Sequence, residues 1–264
     1  WYLPELVAMS FVDACDDEVS AKLAAALGMA QLAIKLTDDL LDAEPGGVQD
    51  RVSAGEVANL SNAFQGMGGL LAAQAFPNED ISIFAAKALA AMAMETAYGQ
   101  HLDVADALDE EAYWLAVKWK STPFYQAAFA LGAMLARWEG AELVEAPILA
   151  LGELFGEIVQ VIDDLTDIMA EPASGDWQRT NNLLVLYAEM TDEDGRFALL
   201  KQAVQRGGLE AAQQHLIDCG AVAYCEHVVK AKYERAVELM NVLAVEQGLP
   251  LRKLFKDHVN AVDY

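Results

Sequence analysis

Two copies of one acidic pattern, Asp-Asp-x-x-Asp, constrain this chain of 264 residues more than any other feature. The first copy runs from Asp38 to Asp42 and the second from Asp163 to Asp167. Each follows an apolar run with helical periodicity, so its first and last Asp share one helix face. In so acidic a chain an Asp run is usually a solvated face, but a chance copy is expected only about 0.1 times in this length. The pattern therefore predicts two carboxylate clusters on neighbouring helices that face each other across a cavity.

Carboxylate clusters of this kind suit Mg²⁺, which takes few protein ligands and completes its shell with water and phosphate oxygens. We predict a magnesium site with the ligands Asp38, Asp39, Asp42, Asp163, Asp164 and Asp167. The net charge of −24 excludes nucleic acid as a partner, because too few bases are present to neutralise a phosphate backbone. An acidic protein that binds an anionic substrate needs bridging cations, so the motifs point to metal-dependent chemistry on a diphosphate.

Helical periodicity fills nearly the whole chain, and no segment alternates cleanly with period two. Proline, glycine and capping signals divide the chain into roughly ten or more helices. The expected helices cover residues 4–14, 18–43, 54–75, 79–108, 110–120 and 122–138, then a helix from 147 through the second motif, and further helices from 180 onward. No linker-like segment interrupts the pattern, so we predict a single all-α domain, a multi-helix bundle, over residues 1–264.

Charged residues interrupt the longest apolar runs, so no transmembrane segment is expected. The three cysteines are an odd number without metal-ligand spacing, which indicates reduced thiols and a cytoplasmic location.

Taken in order, the motifs resemble those of the trans-isoprenyl diphosphate synthases (the polyprenyl synthetases), in particular the geranylgeranyl and farnesyl diphosphate synthases. Asp38–Asp42 is similar to the first aspartate-rich motif of that family, and Gln160–Asp167 is similar to the second. Gly99–Asp103 is similar to the family's Gly-Gln-x-x-Asp, and Lys120-Ser121 resembles its Lys-Thr pair. The resemblance covers essentially the whole chain.

The resemblance implies an isoprenoid-synthase-type helical bundle with a central active-site cavity, acting as a homodimer. Three Mg²⁺ ions would bridge the Asp clusters to an allylic diphosphate, which ionises and condenses with isopentenyl diphosphate. The implied catalytic residues are Asp38, Asp39, Asp42 and Lys120. The implied substrate-binding residues are Arg51, Gln100, Lys120, Ser121, Gln160 and Arg179.

Several basic residues of the family are missing here. An Arg pair usually follows the first motif and a Lys-x-x-Arg precedes the opening helix, whereas this chain has only Arg51 and begins Trp1-Tyr2-Leu3. A prenyltransferase with another acceptor, such as a peptide, therefore stays open. So do a class I terpene cyclase, whose second motif normally uses Asn, Ser and Glu, and a non-catalytic partner subunit, which the intact Asp clusters disfavour.

Product length in this family follows from the residues before the first motif. The fourth and fifth positions before Asp38 are Ile34 and Ala33, and Ala30 lies one turn deeper. Ala33 leaves the wall open and Ile34 is medium-sized, while Ala30 and Met29 one turn deeper offer only a flexible stop. The resemblance therefore implies a geranylgeranyl-like product of about twenty carbons, each buried methylene adding roughly 0.8 kcal/mol to binding.

Overall fold

The computed structural model describes residues 2–42, 48–105, 107–171 and 175–260, and these ranges contain twelve α-helices and no strand. The all-α prediction is confirmed. The helices are α1 Leu3–Ala8, α2 Asp17–Asp42, α3 Ala54–Ala73, α4 Glu79–Asp103, α5 Glu110–Lys120, α6 Thr122–Trp138, α7 Glu145–Met169, α8 Leu183–Thr191, α9 Arg196–Val204, α10 Leu209–Asp218, α11 Ala221–Val242 and α12 Pro250–Asn260.

Side-chain caps begin three helices where the sequence predicts them. Ser53 and Glu56 form a capping box at the start of α3, in which each side chain accepts a hydrogen bond from the other residue's N–H. Asn78 and Asp109 accept hydrogen bonds from the first turns of α4 and α5. A cap of this kind stabilises its helix by about 1 kcal/mol.

Two helix ends differ from the prediction because of contacts between distant residues. Helix α1 ends at Ala8 rather than near residue 14, and the Ser10 hydroxyl beyond it accepts a hydrogen bond from Leu251 N–H at the start of α12. Helix α4 ends at Asp103 rather than near residue 108, because the side chains of Arg179 and Asn181 donate to the Asp103 carbonyl. At the end of α4, side chains thus satisfy a carbonyl group that a longer helix would have satisfied itself.

Glycines let α7 lie directly on the backbone of α6. A Cβ on Gly152 would come within 2.9 Å of Tyr125 O, and one on Gly156 would come within 2.8 Å of Thr122 Cα. Phe129 of α6, Phe155 of α7 and Phe255 of α12 then form one buried aromatic cluster. This packing fixes α7, and with it the second Asp motif, relative to α6 and α12.

By length and composition alone, α2 and α4 could cross a membrane, whereas the sequence analysis predicts no transmembrane segment. In the apolar window of α2, 50% of the residues are buried within the bundle, and in that of α4 28% are. The core helix of a soluble protein passes the same test, so these two helices do not decide the point. The absence of a membrane span stays a prediction.

Candidate active site

Both Asp motifs contribute to one cavity of about 360 Å³ between α2, α5 and α7. The acidic and basic side chains that line it include Lys35, Asp38, Asp103, Lys120, Asp163 and Asp167. Asp38 also lines two smaller cavities, of about 220 Å³ and 130 Å³. Asp38 is therefore the point at which the three cavities meet.

Lys120, the last residue of α5, joins three helices at this cavity. Its ammonium donates to Asp103 of α4 at 2.7 Å and lies 3.1 Å from Asp38 of α2. Burial alone would lower the pKa of Lys120, but the charges of Asp103 and Asp38 outweigh it and hold the pKa above its ordinary value. Lys120 is thus a fixed positive charge next to the first motif.

The Gly of the Gly-Gln-x-x-Asp pattern has a steric role in placing Lys120. A Cβ on Gly99 would lie 2.0 Å from Lys120 N and 2.1 Å from the Trp119 carbonyl carbon, so no other residue fits here without moving α5. Close approach between helix backbones is a common reason for a glycine inside a helix.

Asp164, unlike the other members of its motif, is turned into the protein. Its carboxylate accepts hydrogen bonds from Tyr113 O–H at 2.7 Å, Leu183 N–H at 2.8 Å and the Gln160 amide at 2.8 Å. Burial, and then the charge of Asp164, raise the pKa of Tyr113 far above its usual range, so the phenol keeps the proton it donates. These contacts support α7 and α8. Asp164 also lines the large cavity, and its role as a metal ligand stays a prediction.

Asp163 and Asp167 have their side chains exposed to the cavity. The walls nevertheless reduce the hydration of Asp163, and this burial raises the pKa of its carboxyl to about 6, while the Lys35 ammonium opposes the rise. A poorly hydrated carboxylate at a cavity wall gains from a bound cation.

In the first motif, the three Asp have different surroundings. Asp38 faces Lys120, whereas Asp39 is buried and forms an ion pair with Lys35 at 2.6 Å, one turn earlier in α2. Asp42 is the last residue of α2, and its side chain lies outside the part that the structure describes.

The 130 Å³ cavity lies between α2, α6 and α7 and has mixed walls. Ser121 donates a short hydrogen bond to the Gln160 side chain, whose amide in turn donates to Asp164. Phe124 and Tyr125 supply the aromatic wall. Ser121 and Gln160, which the resemblance implies as substrate-binding residues, therefore lie at this cavity, and each is already bonded to protein.

The 220 Å³ cavity extends from Asp38 between α2, α3 and α4. Ala33, Ile34 and Gln100 line it, and the buried Gln100 amide nitrogen has no hydrogen-bond partner among the described residues. Ala30, in contrast, is fully buried where α3 crosses α2, and a Cβ on Gly68 would lie 3.4 Å from Ala30 N. Ala30 is not among the residues that line this cavity, and its role in chain length stays a prediction.

Of the two arginines predicted to bind substrate, one lines the large cavity and the other does not. Arg51 is exposed, just after the short 3₁₀ turn Val48–Asp50, and does not line any of these cavities. Arg179 does line the large cavity, where it donates to the Asp103 backbone carbonyl and lies 3.3 Å from the Asp103 carboxylate.

A model of the polyprenyl synthetase family matches residues 47–204, more than half of the chain. The chain belongs to the polyprenyl synthetase family. The family assignment made from the motifs is therefore confirmed, and with it the class of enzyme, a trans-prenyltransferase.

Solved structures of polyprenyl synthetases share the fold. The octaprenyl pyrophosphate synthase of Helicobacter pylori superposes with a TM-score of 0.81 at 18% identity, over 97% of this chain and 87% of that one. The geranylgeranyl pyrophosphate synthetase of Geoglobus acetivorans superposes with a TM-score of 0.82 at 20% identity, over 97% of this chain and 85% of that one. The polyprenyl synthetase of Streptomyces coelicolor A3(2) superposes with a TM-score of 0.80 at 18% identity, over 99% of this chain and 84% of that one. The search of curated proteins finds no match.

The donor set of this polyprenyl synthetase suits Mg²⁺ held partly by substrate. Within the described residues, no three His, Cys, Asp or Glu side chains form a preassembled metal shell. Mg²⁺ usually keeps several waters and takes one or two carboxylates together with phosphate oxygens, so it does not require such a shell. Asp38, Asp163, Asp164 and Asp167 are members of the two motifs that line the cavity and could serve as its ligands.

Three residues at the site were not predicted as site residues from the sequence. Lys35 lies in the large cavity, Asp103 holds both Lys120 and Arg179, and Tyr113 donates to Asp164. For Asp103 the signal was its place in the Gly-Gln-x-x-Asp pattern. For Lys35 it was a charge in the apolar run three residues before Asp38. Nothing in the sequence pattern marked Tyr113.

Proposed function

We propose that this polyprenyl synthetase is a Mg²⁺-dependent enzyme that ionises an allylic diphosphate and joins the prenyl group to isopentenyl diphosphate. One observation carries the proposal: Asp38 of α2 and Asp163 of α7 line a single cavity together with Lys120. Two carboxylates and a lysine around one space can surround a diphosphate that is coated with divalent cations.

The charged residues would divide the work at the diphosphate. Asp38, Asp163 and Asp167 would hold Mg²⁺, which when bound neutralises the negative charge that develops on the leaving diphosphate. Lys120 would donate to a phosphate oxygen, and Asp103 holds its ammonium in place before substrate arrives. Asp164 keeps α7 in register with Tyr113 and the start of α8.

The 130 Å³ cavity would surround the reacting carbons. Its lining by Ile34, Phe124, Tyr125 and Val159 excludes water from an allylic cation, and the aromatic faces attract positive charge. Burial, and then the charge of Asp163, raise the pKa of Tyr125 above its usual range, so this phenol stays neutral in the cavity.

The test is incubation of the purified protein with Mg²⁺, farnesyl diphosphate and labelled isopentenyl diphosphate. We expect a labelled prenyl diphosphate that forms only when Mg²⁺ is present and not in EDTA. Extraction and chromatography identify its length. Complete absence of both product and pyrophosphate release under these conditions contradicts the proposal.

The distribution of basic residues supports a second candidate function, in which the acceptor of the prenyl group is not isopentenyl diphosphate. In the described part of the chain, the bases that line the large cavity are Lys35, Lys120 and Arg179, and Arg51 does not line it. If Mg²⁺-dependent release of pyrophosphate occurs without any labelled product, the allylic half of the reaction is present and the acceptor is not isopentenyl diphosphate. A peptide acceptor is then the candidate to test.

We also propose a homodimer that forms across α4. Phe84 and Met94 of this helix are 59% and 75% exposed, and Tyr98 follows one turn after Met94 on the same side. Such an apolar stripe is typical of a protein interface, and the resemblance implies a second copy as the partner. Light scattering should show a dimer that Phe84→Glu together with Met94→Glu dissociates. Met190→Glu, at an exposed apolar residue of α8, is the control and should leave the dimer intact.

A further inference from the structure

Lys35 places a positive charge inside the cavity formed by the two Asp motifs. It lies on α2, one turn before Asp39, and its ammonium is 2.6 Å from the Asp39 carboxylate. Its side chain also lines the 360 Å³ cavity that Asp38, Asp163 and Asp167 line. Asp163, of the other motif, lines the same cavity as Lys35. Lys35 thus pairs with one motif and shares with the other the cavity in which a diphosphate would bind.

Lys35 contacts a different carboxylate from those that the other two basic side chains at this cavity contact. The two other bases of the described cavity lining, Lys120 and Arg179, both contact Asp103. Lys120 also lies 3.1 Å from Asp38 of the first motif, and Lys35 pairs with Asp39 of the same motif. An ammonium on a flexible stem can exchange a carboxylate for a phosphate oxygen that arrives beside it, and lysine commonly binds phosphate in this way.

We propose that Lys35 is a diphosphate-binding residue, which neutralises the Asp motifs in the absence of substrate and turns to a phosphate oxygen when the metal-coated diphosphate enters. This inference rests on the proposed function, because it requires a diphosphate in the same cavity. It predicts two effects of opposite sign when Lys35 is removed. Mg²⁺ alone should bind more tightly, since a competing cation is gone, whereas diphosphate should bind more weakly.

The alternative is that Lys35 forms an ordinary ion pair on the surface of a helix, with no part in binding. Helix α2 supplies a matched control, because Lys22 forms an ion pair with Glu18 at the same spacing and the same distance of 2.6 Å. The Lys22 pair does not line the large cavity. Both lysines are partly exposed, so Lys35→Met and Lys22→Met should fold equally well.

The experiment is isothermal titration calorimetry on the full chain, with Mg²⁺ alone and then with inorganic pyrophosphate in saturating Mg²⁺. For Lys35→Met we expect pyrophosphate affinity to fall by about tenfold or more, as for the loss of a hydrogen bond to a charged group. We expect its affinity for Mg²⁺ alone to rise by about two- to fivefold. Lys35→Arg, which keeps the charge, should stay within about threefold of the wild type in pyrophosphate affinity.

The outcomes separate the inference from the function on which it rests. Opposite shifts in Lys35→Met and none in Lys22→Met support it. Unchanged pyrophosphate affinity in Lys35→Met, beside a wild type that binds pyrophosphate with Mg²⁺, overturns the role of Lys35 and leaves the proposed function standing. A wild type that does not bind pyrophosphate with Mg²⁺ overturns both.

Discussion

The ammonium of Lys120 lies 3.1 Å from the Asp38 carboxylate, so the end of α5 is tied to the first residue of the first Asp motif. Lys120 also binds Asp103 at the end of α4. Because the Asp103 carbonyl in turn accepts from Arg179 and Asn181, this group of side chains connects the first motif to the segment that follows the second.

Replacing Lys120 by Met should reduce both catalysis and stability. We expect kcat/KM to fall by about 100-fold or more, because a donor to the leaving diphosphate is lost. Unfolding free energy should fall by about 2 kcal/mol, since Asp38 and Asp103 lose a charged partner. Steady-state kinetics and urea titration measure the two effects. Lys118→Met, at an exposed lysine of the same helix, is the control and should change neither; near-normal kcat/KM in Lys120→Met would contradict its role.

Asp38→Asn and Asp164→Asn should have different effects although both residues belong to the Asp motifs. Asp164 accepts from Tyr113, Gln160 and Leu183, and an Asn side chain would present an NH₂ group to one of these donors. We expect Asp164→Asn to lower the unfolding free energy by about 1–3 kcal/mol. Asp38→Asn should abolish turnover with an unchanged circular dichroism spectrum, and its stability should fall less than that of Asp164→Asn, because Asp103 still pairs with Lys120. Equal stabilities for the two variants would show that Asp164 is not a structural residue.

Asp163 and Asp164 show which features of the site can be predicted from the sequence and which cannot. Helical periodicity and caps predicted the fold class and most helix limits, since both depend on residues close together in the chain. The motifs also predicted that the clusters meet at one cavity. They could not predict that Asp164 turns inward, because its donors Tyr113 and Leu183 are 51 and 19 residues away. The predicted end of α4 was wrong for the same reason, since Arg179 and Asn181 lie 76 and 78 residues from Asp103 along the chain.

In the metal-free protein, Asp163→Asn should increase stability at neutral pH. Burial raises the folded-state pKa of Asp163 to about 6, above the unfolded value of about 3.9. The ionised carboxylate therefore destabilises the fold above pH 6, and this effect disappears as the pH falls through 6 towards about 4. At about pH 7 the variant should gain no more than about 1 kcal/mol, because the solvent in the cavity screens an exposed side chain.

Melting temperatures in EDTA at several pH values measure this effect of Asp163. The difference between Asp163→Asn and the wild type should be largest near neutral pH and vanish near pH 4. With Mg²⁺ added, the wild type should gain more stability than the variant. A difference that grows as the pH falls would contradict the raised pKa.

Gly99→Ala should be strongly destabilising, whereas Gly69→Ala should be mildly stabilising. A Cβ on Gly99 would lie 2.0 Å from Lys120 N, so α4 and α5 must separate. We expect a loss of about 2–3 kcal/mol together with displacement of Lys120 and lower activity. Gly69, inside α3, has no atom within 4 Å of an added Cβ, and alanine there should add about 0.5–1 kcal/mol. Urea titrations of both variants test the contact, and equal effects would rule it out.

Ala33→Phe should shorten the product. Ala33 lines the 220 Å³ cavity that begins at Asp38, and the Ser61 hydroxyl of α3 donates to its carbonyl, which holds α3 against α2 at this level. A phenyl group at this position would fill the space that a growing prenyl tail needs, because α3 cannot move away without breaking this bond. We propose that the wild type makes a product of about twenty carbons, and we expect Ala33→Phe to stop at least one five-carbon unit earlier.

Reversed-phase chromatography of the dephosphorylated products measures the length. Ala21→Phe, at an exposed alanine of the same helix, is the control and should leave the product unchanged. A wild type that stops at ten or fifteen carbons would reject the proposed length, and an unchanged product from Ala33→Phe would show that the tail does not enter this cavity.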